Sequence, residues 1–186
     1  MPSALILGLV ILALIGVGVV LIYNVLVSKR ALVDNGWSDI EVQLKRRADL
    51  IPRLVETVKG YAAHERDLFR EVVEARNSAL AAGNDVTKRG GAEYNLATQT
   101  PRLLALKEDY PELKSNENFL ELQEELSETE DKIEMARRFY NGAVREMNIK
   151  VKSIPSNFVA GPFGFREQPF FEIEPSDRLA PNVSFD

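Results

Sequence analysis

Every seventh residue from Phe119 is large and apolar: Leu126, Ile133, Tyr140, Met147 and Ile154 follow without a miss, while the companion positions Leu122, Thr129, Ala136 and Ala143 are apolar or small. Residues seven apart return to nearly the same azimuth after two helical turns, so these rows form one stripe on an α-helix. Asn116 supplies a side-chain oxygen suited to an N-cap, and Pro155 cannot continue the helix. The pattern predicts one helix over 116–154, about 57 Å long. Such a helix cannot cover its own stripe, so another element must lie along it.

A second pair of rows lies upstream. Trp37, Leu44, Ile51, Val58, Val72 and Ala79 form one, and Val33, Ile40, Leu54, Tyr61, Leu68 and Ala75 the other, with Arg47 and Glu65 as the polar members. Pro52 removes one backbone hydrogen bond inside this rod, so the rod is either kinked there or broken over 49–52. Gly36 and Gly60 weaken it slightly. Residues 81–85 end it, and the polar stretch to Gly90 and Gly91 reads as an exposed loop. A shorter helix is expected over 92–109, carrying Leu96, Leu103 and Leu106 with Pro101 inside, before Tyr110 and Pro111 and a turn over 112–116 lead into the long helix.

Before these rows the pattern is different. Residues 1–28 carry no charged side chain, and 3–27 is an apolar run that as a helix spans about 38 Å, enough for a bilayer core. Leu5, Gly8, Leu12, Gly16 and Val20 lie along this anchor, Tyr23 sits where an interfacial aromatic belongs, and Lys29 and Arg30 follow at headgroup level. A cleaved signal peptide fits less well, because the run is long and lacks both a charged leader and a small-residue cleavage site. No Lys or Arg precedes the anchor, so the positive-inside rule places the N-terminus outside and the bundle in the cytoplasm.

After Pro155 the helical pattern stops. Residues 155–186 hold six of the nine phenylalanines, among them Phe163 and Phe165, interleaved with proline and glycine. This irregular tail either folds back on the bundle or meets a partner or a membrane surface. Three regions follow: an anchor over 1–28, a helical bundle over 29–154 and the aromatic tail over 155–186.

Composition and charge narrow the chemistry. The net charge of −5 conceals an acidic segment, 107–134, where three lysines face eleven acids; the rest of the chain is mildly cationic. There is no basic face for nucleic acid. Without cysteine there is neither disulfide nor thiolate chemistry. His64-Glu65 would need a second histidine at position 68 to make a zinc-protease helix, and Leu68 stands there. No Glu-x-x-His pair suits a carboxylate-bridged metal site, no phosphate-binding glycine loop occurs, and the Asn182–Ser184 sequon is a pattern match only. No cofactor and no enzymatic activity are expected, an enzyme with an unrecognised site being the lesser alternative. The pairs Arg46-Arg47 and Arg137-Arg138 fall at or beside the seam. Arg47 and Arg137 either pair with acids across the bundle, Glu65 or Glu130 for example, or these arginines join Phe163 and Phe165 as candidate contacts for an acidic partner.

Certain stretches are more specific. Trp37-Ser38-Asp39-Ile40, Lys45-Arg46-Arg47-Ala48-Asp49-Leu50-Ile51-Pro52 and Val58-Lys59-Gly60-Tyr61 through His64-Glu65 resemble the LemA family of bacterial membrane proteins. So do Tyr110-Pro111-Glu112-Leu113-Lys114, Asn118-Phe119, Ala136-Arg137-Arg138-Phe139-Tyr140-Asn141 and Phe163-Gly164-Phe165. The family's order and spacing hold from Tyr23 to Glu172. Arg53, where many members have asparagine, and Pro162, which interrupts an apolar run, depart from it. The resemblance implies a bacterial inner-membrane protein with one N-terminal membrane helix, a short N-terminus outside, an up-and-down helical bundle and no established catalytic residues.

The expected architecture is therefore all-α: a transmembrane helix running on into an elongated antiparallel bundle of three or four helices, with an irregular tail. The bundle seam comprises Trp37, Leu44, Ile51, Val58, Phe119, Leu126, Ile133, Tyr140 and Met147. A membrane-tethered, non-enzymatic scaffold or adaptor that self-associates and recruits protein partners suits this best, with a membrane-shaping assembly as its larger variant. Self-association is expected around 33–44, where the first rod offers more stripe than the short 92–109 helix can cover; the long 116–154 helix helps, yet part of the seam is expected to stay open.

Overall fold

The structure, a computed structural model, describes residues 2–172, apart from the side chains of Pro2, Ala4 and Leu5. Among the described residues every regular element is helical: α1 (Pro2–Lys59), α2 (Arg66–Ala81), α3 (Val86–Ala105), a 3-10 turn (Leu106–Glu108), α4 (Pro111–Lys114), α5 (Glu117–Lys152) and α6 (Asn157–Ala160). The described residues divide into two compact units, one of residues 2–38 and 138–169, the other of 39–137 and 170–172.

In the first unit α1 and α5 run antiparallel, with Lys29 paired to Glu146 and Gly36 set against Tyr140. A side chain at Gly36 would meet Phe139 Cδ1 at 3.1 Å and Tyr140 Cα at 3.2 Å, so glycine lets the two backbones approach. Leu26, Val33, Tyr140, Val144 and Met147 fill the space between, and the Trp37 ring lies 5.6 Å from that of Tyr140. Of the small row, Ala143 is buried and Ala136, in the second unit, is half-buried. Helix α5 stops at Lys152, short of the expected Ile154, which is 77% exposed and not part of the seam. The Ser156 hydroxyl lies 2.6 Å from the Lys150 carbonyl and 3.0 Å from that of Ser153, meeting acceptors that the helix end leaves open. Asn148 then ties the tail down. Its Nδ2 donates to the Gln168 carbonyl at 2.9 Å and its Oδ1 accepts from the Gln168 amide at 2.8 Å.

The second unit holds a single apolar core in which Ile51, Leu54 and Val58 of α1 meet Leu68 and Val72 of α2, Leu96 and Leu103 of α3 and Phe119 and Leu126 of α5. The rod neither breaks nor ends at Pro52. Helix α1 continues to Lys59, and the division falls at Gly60, where a turn over 60–65 leads into α2. Helix α3 begins at Val86 rather than at 92, so Gly90 and Gly91 are helical rather than part of a loop. Asp85 is the reason: its carboxylate accepts from the Thr87 and Lys88 amides at 3.1 and 3.0 Å, a complete N-cap. Gly90 is kept small from outside, because a Cβ there would stand 2.3 Å from the Glu172 carbonyl oxygen.

Val33, Ile40 and Leu44, expected to leave an open seam, are at most 3% exposed within the chain itself. The apolar side chains left outward nearby are Leu32 and Val42.

Candidate functional site

Two features stand out from the ordinary packing: an uncovered apolar segment in the first unit and a buried charge cluster in the second.

The apolar segment is the start of α1. It is the one described helix long and apolar enough to cross a membrane, and none of its most apolar window is buried. Leu12 and Val20 are exposed by 66% and 57%, and nothing approaches a Cβ position at Gly8 or Gly16. The side chain of Leu5 lies outside those described. Further along, Leu26 is fully buried and Lys29 is paired with Glu146, whose carboxyl is held below its ordinary pKa by that lysine's hydrogen bond and charge. Tyr23 lies between, with its ring edge-on to Phe163 and Phe165 at 5.1 and 5.6 Å. Phe165 is buried by this packing and Phe163 is 56% exposed. Tyr140 is also buried there; its hydroxyl donates to the Pro169 carbonyl at 2.9 Å, and burial, with the Asp34 charge, pushes its pKa up to about 12.

The charge cluster joins α1, α3 and α5 inside the second unit. Arg47 is completely buried, with one end of its guanidinium on the Glu93 carboxylate. The other end donates to both Glu130 oxygens at 2.8 and 3.0 Å. Arg89 Nε reaches the second Glu93 oxygen at 2.7 Å. Burial alone lowers the Arg47 pKa, but the Glu130 and Glu93 charges and hydrogen bonds outweigh it, and the net shift is upward. The guanidinium therefore stays charged. Two cations and two anions meet in this cluster. Glu130 is the partly exposed end and lines a groove of about 520 Å³ with Thr100, Lys107, Gln123 and Asp131.

Of the arginines singled out in the sequence, Arg47 takes the cross-bundle role and is inaccessible to an outside partner. Arg46 and Arg138 are exposed and Arg137 half-buried. Glu130 is one of the two acids expected opposite Arg47; Glu65 instead precedes α2 at its N-cap position. Glu93 and Arg89 went unrecognised. Their four-residue spacing is the signal that would have found them, had Asp85 been read as a helix start. His64 is exposed in the turn before α2, and no group of three metal-ligating side chains occurs among the described residues. The seam residues Leu44, Ile51, Val58, Phe119, Leu126, Ile133, Tyr140 and Met147 are all buried, with Trp37 half-buried. The sequon at Asn182 and the tail beyond Glu172 lie outside the described residues.

An all-helical chain led by an uncovered apolar helix, packed around a neutral ion cluster, defines a class of membrane-associated helical proteins. The LemA family model matches residues 36–185, and the chain belongs to the LemA family. It is 26% identical to magnetosome protein MamQ 2 of Paramagnetospirillum magneticum, over 83% of this chain and 66% of that protein. It is also 24% identical to MamQ of Magnetospirillum gryphiswaldense (94% and 74%) and 24% identical to protein LemA of Metamycoplasma hominis (87% and 74%). The chain thus spans slightly less than two thirds of the length of the Paramagnetospirillum relative.

Proposed function

We propose that this protein is a non-enzymatic scaffold, anchored in the bacterial inner membrane by α1, that self-associates and presents its helical bundle to protein partners in the cytoplasm. The observation that carries the reading is the continuity of α1, which passes without interruption from uncovered apolar turns into packed ones. Bare turns need lipid around them, and Lys29 and Arg30 at the changeover suit the cytoplasmic headgroup layer. Two relatives carry magnetosome names, which supports a membrane-organising assembly as the larger variant of the same reading.

The absence of native cysteine makes topology directly testable. A single Ser115→Cys substitution, at an exposed turn, should resist a membrane-impermeant maleimide in intact cells and react after lysis. Labelling before lysis places the bundle outside. Self-association predicts a particle mass that rises with concentration in mild detergent, and a strictly monomeric particle throughout removes that part of the proposal.

A further inference from the structure

We propose that residues 153–165 form a second membrane contact, an aromatic wedge that lies in the bilayer interface beside the anchor. This rests on the reading of α1 as an anchor. Between Lys152 and Arg166 there are thirteen positions with no charged side chain, and cations stand on both flanks. Ile154, Phe158 and Phe163 within that stretch are exposed by 77%, 71% and 56%, while Ser156, Val159, Ala160 and Phe165 are buried and hold the segment in shape. A folded segment that turns three large apolar side chains outward, without one charge among them, is unsuited to water.

Its position identifies what covers it. Phe163 packs on Tyr23, and Tyr23 lies four residues, about 6 Å along the helix axis, on the bilayer side of Val27. Gly18, Val19 and Ile22, deeper still, are half-buried, whereas most of the apolar turns before them are bare. Protein therefore covers one face of the anchor within its apolar length, and whatever solvates the anchor there meets the exposed Phe163 ring as well. Lys150, Lys152 and Arg166 flank the wedge as Lys29 and Arg30 flank the anchor, at the level where cations meet phosphates. The occupant is the lipid bilayer itself. The segment is a short, interrupted interfacial element that lies on the membrane without spanning it.

The test uses the full chain in nanodiscs of phosphatidylethanolamine and phosphatidylglycerol. An environment-sensitive fluorophore is attached through Phe158→Cys or Ile154→Cys, with Ser38→Cys as the aqueous reference and Leu12→Cys as the bilayer reference. Both wedge positions are exposed, so the substitutions leave the packing intact, and circular dichroism melts check this. The expected result is blue-shifted emission at 154 and 158, quenching by lipid carrying a nitroxide near the headgroup, and iodide quenching at least about threefold weaker than at 38, as for a residue seated in the interface. Iodide quenching equal to that at 38, with none by lipid, overturns the wedge. Protection from both quenchers also overturns it, because a protein surface is then the cover. If the label at 12 is itself untouched by lipid carrying a nitroxide deep in its acyl chains, the anchor reading fails and takes the wedge with it. Quenching at 12 but not at 154 or 158 rejects the wedge alone.

Discussion

Arg76 donates through Nε to the carbonyl oxygen of Ala48 at 2.6 Å. In an uninterrupted helix that carbonyl would accept from the backbone amide four residues on, but position 52 is proline and has none. A guanidinium from α2 replaces the missing donor, which is how α1 carries a proline through its interior and still reaches Lys59. The relationship predicts non-additivity. Arg76→Met should cost about 1–3 kcal/mol, since it strands a partly buried acceptor. In a Pro52→Ala background, where the restored amide meets the same carbonyl, the same change should cost much less. Denaturant unfolding of the four proteins of this cycle measures the coupling, and equal costs in both backgrounds would show that the arginine does something else.

The ion cluster should respond asymmetrically. Arg47→Met leaves Glu93 buried against Arg89 alone and is expected to destabilise by roughly 3–5 kcal/mol. Arg47→Met combined with Glu93→Gln removes the stranded acid while keeping an acceptor for Arg89 Nε, and should recover part of that loss. Arg47→Lys should not rescue, because a single ammonium cannot serve the Glu93 carboxylate and both Glu130 oxygens in the present geometry. Melting of the single and double variants decides the matter; a double variant no more stable than Arg47→Met refutes it.

Neighbouring glycines in α3 should behave in opposite ways. Gly91 has open space around its Cβ position, so Gly91→Ala should stabilise by up to about 1 kcal/mol through helix propensity. Gly90→Ala drives a methyl group into the Glu172 carbonyl and should destabilise, freeing Phe171, now fully buried, and speeding proteolysis after Arg166. Equal effects of the two substitutions would mean that the tail yields without cost.

Tyr140 gives a pH signature in the alkaline range. Its folded-state pKa is raised to about 12, so the folded protein favours the protonated phenol. The stability this confers is complete below the unfolded value of about 10 and is lost as pH rises toward 12, at about 1.4 kcal/mol per pH unit between the two. The stability difference between wild type and Tyr140→Phe should be flat up to about pH 10 and then shrink. A difference that stays constant to pH 12 would place the phenol in contact with water.

The seam was legible because burial imposes a seven-residue period, and Leu44, Ile51, Phe119 and Leu126 declare it without help from any other element. Gly90 was misread because glycine breaks a helix and equally allows a close approach; only the Glu172 backbone, 82 positions away, decides which. Pro52 left two readings open, a continuous rod or a break, because its compensation comes from Arg76 on a different helix. Glu93 stayed hidden for a related reason: it lies 46 positions from Arg47, and charges carry no periodic mark. Ile154 keeps the period yet falls outside the seam, because Ser156 helps close α5 just before it.

The pairing of Lys29 with Glu146 joins residues 117 positions apart. During synthesis the apolar start of α1 is made before the stretch of α5 that packs along Leu26 and Val33. By contrast, α2 and α3 can close on each other as a local hairpin soon after they emerge. The first unit therefore has to be completed last, by the C-terminal part of α5 and the segment after it, returning to α1. A chain that terminates before α5 would leave Leu26 and Val33, buried in the whole protein, without cover.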